Sequence, residues 1–263
     1  MKRDLISMAD LSAQDIWELI REALKMKRGE SKASLESRTL ALIFQKPSLR
    51  TRMSFEVAMR QLGGHASYLS PQEVRMGERE PVADVARVLS RYVDGIVART
   101  YRHADVVELA RWASVPVING LSDQEHPCQA LADLLTIYEK REGFEGLKIA
   151  FIGDGNNMAA SLSMGVALLG ANFTLAAPEG YELKGSALAT LKGLAARNGS
   201  SVEIITNVKA AAKDADVIYT DVWTSMGQEA EAEARRSAFS DYKVDPALMT
   251  LAKNDSIFMH PLP

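Results

Sequence analysis

Cysteine is almost absent from this sequence, since Cys128 is the only one among 263 residues. A single thiol excludes an intrachain disulfide framework and is typical of proteins of the reducing cytoplasm, which is where we expect this protein to work. Cations are not in surplus either, because 31 Lys and Arg stand against 34 Asp and Glu, for a net charge of -3. This balance argues against nucleic-acid binding, which depends on phosphate contacts from Lys and Arg.

Long apolar runs are missing as well. The longest stretches, such as Met164–Ala171, are interrupted by glycine and are too short to span a bilayer. The N-terminal residues carry charges without an extended apolar segment and do not predict a signal peptide. We therefore expect no membrane association. The length and a hydrophobic content of 47% fit two α/β domains or one large domain.

Short apolar runs alternate with segments of helical periodicity along the whole chain. Thr39–Phe44 is a continuous apolar run typical of a strand buried on both faces. Strands that alternate with helices predict an α/β fold with two domains, each a parallel sheet flanked by helices. A long helix, His126–Arg141, is expected to link them, and the boundary is placed between residues 132 and 133. Helical spacing also runs from Val82 to Val93, and the alternating charges of Gln228–Phe239 predict a solvated helix.

Unusual polar clusters follow the predicted strands. They are residues 46–52, 99–103, 119–129, 154–157, 221–228 and His260. Ligands of open α/β sheets bind beyond the carboxyl ends of the strands. The pattern therefore predicts an active site in a cleft at these strand ends.

The first cluster places Lys46, Arg50 and Arg52 within seven residues, where a strand gives way to a helix. The first N–H groups of a helix lack partners and bind phosphate, and arginine offers a planar fork that suits phosphate oxygens. Ser48 and Thr51 add hydroxyl donors. The alternative interpretation is that Ser48 only caps the helix and that the arginines are solvated.

Five motifs in order along the chain carry a resemblance to a known family. They are S-L-R-T-R-M-S-F-E from Ser48, H-P-C-Q from His126, G-D-G-N-N from Gly153, D-V-W-T-S-M-G-Q-E from Asp221 and M-H-P-L-P from Met259. Together they resemble the signatures of the aspartate and ornithine carbamoyltransferases. The G-D-G-N-N and S-M-G segments are similar to the ornithine branch.

The resemblance implies a site for carbamoyl phosphate. Its residues would be Ser48, Leu49, Arg50, Thr51, Arg75, Arg99, His126, Gln129 and Leu262. The implied donors to the carbonyl oxygen are Arg50, Thr51, Arg99 and His126, of which Arg50, Arg99 and His126 are expected to be catalytic. The Gln129 side chain would hold the carbamoyl amide. Such donors stabilise the negative charge that develops in the transition state. Arg75 falls where the family reaches into a neighbouring subunit, so a homotrimer or a multiple of trimers is expected.

The resemblance also implies an ornithine site. Asn157, Asp221, Ser225 and Met226 would hold the amino acid, with Asn156 as a close second choice to Asn157. The implied reaction transfers the carbamoyl group of carbamoyl phosphate to the side-chain amine of L-ornithine, giving L-citrulline and phosphate. It belongs to arginine biosynthesis or catabolism and requires neither a metal nor an organic cofactor.

Two departures from the family pattern leave alternatives open. Pro261 replaces the cysteine usual in the ornithine branch, which keeps a sibling enzyme for aspartate, putrescine or a modified ornithine in view; Pro261 is still expected among the catalytic residues. The sequence ends at Pro263, where relatives continue into a helix that supplies a further arginine, so a truncated, non-catalytic relative is the other alternative.

A third alternative, a dinucleotide site at G-D-G, is opposed by two absences. Met158 occupies the position of the third glycine, and Ala176-Ala177-Pro178 stands where an acidic ribose partner belongs.

Overall fold

The computed structural model describes residues 3–224 and 229–262, which form two units. The first unit comprises the residues up to Leu11 and Trp17–Cys128, and the second comprises Ser12–Ile16 and the chain from Gln129 onward. Each unit contains one parallel sheet with helices, so the predicted fold class is confirmed. The domain boundary after residue 132 stays a prediction; along the chain, the change of unit lies between Cys128 and Gln129.

The first unit has a four-stranded sheet in the order β2-β1-β3-β4. Its strands are β1 (Thr39–Phe44), β2 (His65–Leu69), β3 (Gly95–Arg99) and β4 (Val117–Leu121). The helices in this part of the chain are α1 (Ala13–Lys27), α2 (Leu49–Gln61), α3 (Pro71–Val74), α4 (Val82–Leu89) and α5 (His103–Trp112).

Strand β1 shows why this sheet forms. It pairs in parallel with β2 and β3, and all its residues after Thr39 are buried. Side chains alternate across a strand, so Ala41 and Ile43 enter one hydrophobic cluster while Leu40 and Leu42 enter another. An apolar run without polar alternation is what a strand covered on both faces requires.

The second unit has a five-stranded parallel sheet in the order β7-β6-β5-β8-β9. Its strands are β5 (Lys148–Ile152), β6 (Asn172–Ala176), β7 (Val202–Ile205), β8 (Val217–Thr220) and β9 (Ile257–Met259). The helices in this part of the chain are α6 (Pro127–Arg141), which enters the second unit at Gln129, α7 (Asn157–Leu168), α8 (Gly185–Asn198), α9 (Val208–Ala212), α10 (Ala232–Ala238) and α11 (Pro246–Met249).

Strand order places one switch point in each sheet. In the first sheet, β1 lies between β2 and β3, so the connections after β1 and β3 leave in opposite directions. In the second, β5 lies between β6 and β8, and the same reversal occurs there. The crevice at such a point is where α/β sheets bind ligands. The polar segments 46–52 and 154–157 follow β1 and β5 directly.

The elements that differ from the sequence prediction are short. The four-residue helices α3 and α11 were not expected, and the helix predicted up to Val93 ends at Leu89. Local periodicity carries little information over a single turn. Within residues 3–224 and 229–262, no helix has the length and apolar character that crossing a bilayer requires.

Candidate active site

Ser48 begins the site by capping α2. It has an extended backbone (φ −155°), its Oγ accepts the Thr51 N–H over 3.4 Å, and it donates to Thr51 Oγ1 over 3.0 Å. The capping interpretation of Ser48 therefore describes the structure. It leaves the anion hypothesis open, because a cap satisfies one of the four unpaired N–H groups of the 13-residue helix. Leu49, the first residue of α2, has an exposed side chain.

Arg99 is a buried cation at the end of β3. It is 5% exposed, and the register between β3 and β4 shifts between Ala98 and Arg99, an irregularity that re-aims a side chain. Its Nη1 donates to Thr51 Oγ1 over 3.3 Å, whereas its Nε is buried without a hydrogen-bond partner among the described residues. Burial, with the nearby Arg50 charge, lowers the pKa of Arg99 to about 10. A buried guanidinium with an unpaired N–H is a candidate binding site for an anion.

The three cations of the motif do not act alike. In the described part of the chain no salt bridge involves Arg50 or Arg99, although the two repel each other. Arg52 pairs with Glu56 at 2.8 Å and lies 3.9 Å over the Tyr68 ring, and Lys46 Nζ lies 4.9 Å over the Tyr101 ring. Arg50 is therefore the motif cation that faces the same site as Arg99.

His126 adds a neutral ring to the same unit. It precedes α6 directly and is half-buried. Burial and the neighbouring Arg99 charge lower the pKa of His126 to about 3. The imidazole is therefore uncharged at neutral pH and offers one N–H donor. Four predicted residues, Arg50, Thr51, Arg99 and His126, are brought together at the switch point of the first sheet.

Arg75 lies on the loop after α3. It closes that helix with a left-handed backbone (φ 44°), is exposed, and pairs with Glu78 at 3.4 Å. An exposed guanidinium with one weak surface partner can reach a second chain at little cost. Its predicted role toward a neighbouring subunit stays a prediction.

Asp221 follows β8 in the second unit. Its Oδ2 accepts from Asn156 Nδ2 over 2.9 Å, and its Oδ1 accepts the Val222 N–H over 2.7 Å. Among the residues that the structure describes, no salt bridge involves Asp221, whereas Asp154 is held by Arg235 at 2.8 Å. Asp221 is therefore the carboxylate at this strand edge that can receive a cationic ligand.

Asn156 and Asn157 have different positions. Asn156 caps α7, because its Oδ1 accepts the N–H groups of Met158 and Ala159 while its Nδ2 binds Asp221. Asn157 is the first residue of α7 and is half-buried. The cap gives Asn156 a structural role, and the role of Asn157 toward a ligand stays a prediction.

The chain after β9 holds an unusual backbone conformation. Leu262 has φ 57°, and its N–H donates to His260 Nδ1 over 2.9 Å. A leucine in the left-handed region is sterically unfavourable, and such conformations cluster at ligand sites. Pro261 is half-buried between these residues. Ser225 and Met226 lie outside the described residues.

The G-D-G turn after β5 does not leave room for a pyrophosphate. Gly153 has φ 142°, and Gly155, two residues later, packs against backbone: a Cβ there would lie 2.4 Å from Leu183 N. In a dinucleotide site the second glycine gives that space to the ligand. Here the segment after β6 occupies it, which argues against the nucleotide alternative. Within the described ranges, no group of three or more His, Cys, Asp or Glu side chains is placed to hold a metal ion.

Comparison with known proteins fits this geometry. Residues 3–139 match the family described as aspartate/ornithine carbamoyltransferase, carbamoyl-P binding domain, and residues 145–263 match the Asp/Orn binding domain. The chain belongs to the aspartate/ornithine carbamoyltransferase family. The family predicted from the five motifs is thereby confirmed.

Individual relatives are similar over nearly the whole chain. The anabolic ornithine carbamoyltransferase of Pyrococcus furiosus is 53% identical over 99% of this chain and 84% of its own length. The Bacillus subtilis ornithine carbamoyltransferase is 50% identical over 99% of this chain and 82% of its own. A solved ornithine carbamoyltransferase from Pyrococcus furiosus superimposes with a TM-score of 0.94 at 52% identity, covering 99% of this chain and 85% of that one.

The anabolic enzyme from Campylobacter jejuni superimposes with a TM-score of 0.95 at 38% identity, over 100% of this chain and 86% of that one.

One residue of this family member was misjudged from sequence. The alternating charges of residues 228–239 predicted a solvated helix, but Arg235 on α10 is 7% exposed. It donates to Asp154, to Glu231 over 3.0 Å and to the Trp223 carbonyl over 3.2 Å. Burial raises the pKa of Asp154, and the Arg235 charge opposes that rise. Arg235 therefore anchors the G-D-G turn, and alternating charge alone could not show it.

Sequence reasoning also missed two buried polar groups beside Gln129. Gln129 Nε2 donates to Asp133 Oδ1 over 3.0 Å, and Tyr219 OH donates to Asp133 Oδ2 over 2.7 Å. The i,i+4 spacing of Gln129 and Asp133 on a helix was the available signal. Tyr219 gave none, because an aromatic residue in an apolar strand is typical of a core.

Gln45 is a third missed residue, at the end of β1. Its Nε2 donates to the Met76 carbonyl over 3.2 Å, and its Oε1 accepts the Tyr101 N–H over 2.9 Å. One side chain thus ties the loop that carries Arg75 to the chain that follows β3.

Proposed function

We propose that this protein is an ornithine carbamoyltransferase, which transfers the carbamoyl group of carbamoyl phosphate to the side-chain amine of L-ornithine and releases L-citrulline and phosphate. The observation that carries the proposal is the convergence of Arg50, Thr51, Arg99 and His126. The names of the relatives and the family support it.

The phosphate of carbamoyl phosphate supplies the anion that this cation pair lacks. Arg50 and Arg99 neutralise its charge, while Ser48, Thr51 and the first N–H groups of α2, beginning at Leu49, donate to its oxygens. Arg75 of a neighbouring subunit in a homotrimer, or a multiple of trimers, adds a further guanidinium. The single thiol, Cys128, supports a cytoplasmic location.

The carbamoyl group is polarised by the same residues. The unprotonated amine of ornithine attacks the carbonyl carbon, and negative charge grows on the carbonyl oxygen. Arg50, Arg99 and the neutral His126 donate to that oxygen, which stabilises the transition state. The bond from carbon to the phosphate oxygen then breaks, and the phosphate leaves with the electron pair and accepts the proton of the amine. Gln129 and the Leu262 carbonyl, aimed by Pro261, hold the carbamoyl NH2.

Ornithine is recognised in the second unit. Asp221 attracts its ammonium groups, and Asn157, Ser225 and Met226 hold its amino-acid end. In this assignment residues 1–132 form the carbamoyl-phosphate domain and residues 133–263 the ornithine domain. The activity serves arginine metabolism, in the biosynthetic or the catabolic direction.

The test measures carbamoyl transfer from carbamoyl phosphate with ornithine, putrescine and aspartate as competing acceptors. Ornithine-dependent citrulline that falls by about 10²-fold or more in Arg50→Ala supports the proposal. Arg60→Ala, at the opposite end of α2, is the matched control and should retain activity. Preference for another acceptor assigns a sibling enzyme, and a folded protein that uses no acceptor is a non-catalytic relative.

A further inference from the structure

The proposed function requires a defined orientation of the Gln129 amide, and the present inference rests on that function. To hold a carbamoyl NH2 group, Gln129 must offer its acceptor, Oε1, rather than its donor, Nε2. The two ends of a side-chain amide have nearly the same shape. A half-turn of the amide would therefore place two N–H groups against the carbamoyl NH2 and abolish the hydrogen bond.

Asp133 is placed to prevent that half-turn. It lies four residues after Gln129 on α6, where helical side chains are neighbours, and its Oδ1 accepts from Gln129 Nε2 over 3.0 Å. An ionised carboxylate only accepts hydrogen bonds, so it binds Nε2 and rejects Oε1. The Gln129 amide is held with its oxygen on the side away from Asp133.

Tyr219 stabilises the ionised form of Asp133 through a hydrogen bond. Asp133 is 6% exposed, and burial raises its pKa to about 6, with Asp221 acting in the same direction while Tyr219 and Gln129 oppose it. The fully buried Tyr219 hydroxyl donates to Asp133 Oδ2 over 2.7 Å. Its ring stacks on Phe151 at 5.2 Å, so the donor is fixed in place. Each carboxylate oxygen thus has one partner, which a buried charge requires.

We propose that Asp133 and Tyr219 are positioning residues for carbamoyl transfer, which fix the Gln129 amide so that Oε1 is the atom offered to the carbamoyl NH2. The hydrogen bonds run in one chain, from the Tyr219 hydroxyl and the Gln129 amide to the same carboxylate. Tyr219 lies two residues before Asp221 on the chain, so the end of β8 carries both the carboxylate proposed to bind the ammonium groups of ornithine and the hydroxyl that positions Gln129.

Steady-state kinetics of the full chain with carbamoyl phosphate and ornithine test the proposal. Tyr219→Phe keeps the ring and removes one hydroxyl; we expect kcat to fall roughly 10-fold to 100-fold. In a Gln129→Ala background the same change should alter kcat less than about 2-fold, because positioning residues act only through the residue they position. Equal losses in both backgrounds, or no loss in either, would overturn the proposal.

The pH dependence gives a second readout. Loss of the Tyr219 hydroxyl raises the pKa of Asp133 further, and the groups that face this carboxylate are Gln129, Tyr219 and Asp221. The ratio of variant to wild-type kcat should therefore rise from pH 6 to pH 9 as Asp133 ionises. A ratio that is flat with pH contradicts the proposed role.

Tyr242→Phe is the matched control. Tyr242 is also a buried tyrosine of the second unit, and its hydroxyl donates to the Thr206 carbonyl over 2.9 Å, with no bond to Asp133. It should lose stability similar to that lost by Tyr219→Phe and keep kcat. An equal fall in kcat for Tyr242→Phe would make the Tyr219 effect one of stability alone.

A measurement independent of activity separates this inference from the proposed function. In protein labelled with ¹⁵N glutamine, the side-chain resonance that Gln129→Ala removes should shift in Asp133→Asn and in Tyr219→Phe. An unperturbed resonance refutes the positioning. If wild type forms no citrulline yet the resonance shifts, the proposed function fails while the hydrogen-bonded orientation stands.

Discussion

Arg99 Nη1 lies 3.3 Å from Thr51 Oγ1, so the end of β3 meets the first turn of α2 through a guanidinium. The Arg99 Nε is buried without a partner among the described residues. Natural proteins seldom leave a buried charged donor unsatisfied, because the desolvation cost is large. In the ligand-free protein the unpaired Arg99 Nε raises the free energy of the folded state. An anion that binds there removes this desolvation cost.

Replacing Arg99 by methionine should separate binding from stability. The lowered pKa of Arg99, about 10 against 12.5, means that the charged form is penalised by roughly 3 kcal/mol in the folded state below pH 10. Arg99→Met should therefore raise the free energy of unfolding of the ligand-free protein by about 1–3 kcal/mol, measured by urea titration. Citrulline formation should fall about 10²-fold to 10³-fold.

Inorganic phosphate provides the check on that prediction. It should raise the melting temperature of wild type and leave that of Arg99→Met unchanged, since only a ligand that binds the folded state stabilises it. Arg87→Met is the control, because Arg87 is an exposed arginine that pairs with Asp84 and lies 4.1 Å over Trp112. A destabilised Arg99→Met that still responds to phosphate would contradict the anion site.

His126 should remain neutral throughout the working pH range. Because its folded pKa of about 3 is depressed below the usual 6.5, the unfolded chain binds more protons between these values. Stability is thus lost as pH falls below 6.5, by up to about 1.4 kcal/mol per pH unit. In His126→Gln that part of the acid sensitivity should vanish, as urea titrations at pH 4 and pH 7 will show.

The kinetic counterpart concerns the same variant. His126→Gln keeps an N–H donor, so kcat should fall less than in His126→Ala, for which about 10²-fold to 10³-fold is expected. An inflection in the wild-type rate near pH 6.5 that disappears in both variants would show that His126 titrates there, against the prediction.

Sequence and structure agree on the proximity of candidate site residues that are close together in the chain. Ser48, Arg50 and Thr51 form one helix start, so the motif alone predicted their proximity. Arg99 was predicted at a strand end, but its burial and its missing Nε partner depend on the packing of the sheet. Tyr219 was invisible, because its hydroxyl meets a carboxylate 86 positions earlier in the chain.

Arg235 was predicted to be solvated, and it is buried. Its alternating neighbours have the pattern of a solvated helix, yet its guanidinium is buried against Asp154. Local charge patterns report solvation only when nothing packs over them, and that is decided by the tertiary fold.

Asp216 should be the main electrostatic contributor to stability in the second unit. Its side chain is 1% exposed and accepts from Arg141 and Lys253 at 2.8 Å and from the Lys148 N–H at 2.9 Å. Burial acts to raise its pKa, but the Lys253 and Lys148 hydrogen bonds and the Lys253 and Arg141 charges hold it below the usual value. This stability is present above the unfolded pKa and is lost as pH falls through the folded pKa.

Asp216→Asn should lower the free energy of unfolding by roughly 3 kcal/mol at pH 7, because two cations lose their buried partner. Asp216 precedes β8 and Asp221 follows it, so the two residues lie at opposite ends of this strand. The KM of both substrates should therefore stay unchanged. Asp214→Asn is the control: this exposed neighbour has φ 55°, which asparagine tolerates, and a change within about 0.5 kcal/mol is expected. Equal effects of the two substitutions would refute the network.

Gly155 should tolerate no side chain. A Cβ at this position would lie 2.4 Å from Leu183 N and 2.5 Å from Glu182 C, both backbone atoms that cannot rotate away. Gly155→Ala should therefore cost about 1–3 kcal/mol or more and raise the KM for ornithine, because Asn156 next to it holds Asp221. Gly193→Ala is the control, since its Cβ meets nothing within 4 Å on α8 and should stabilise the protein by about 0.5–1 kcal/mol. If Gly155→Ala keeps the wild-type stability and the wild-type KM for ornithine, the turn accommodates a Cβ at this position. The close packing of Gly155 would then have no role in placing Asp221.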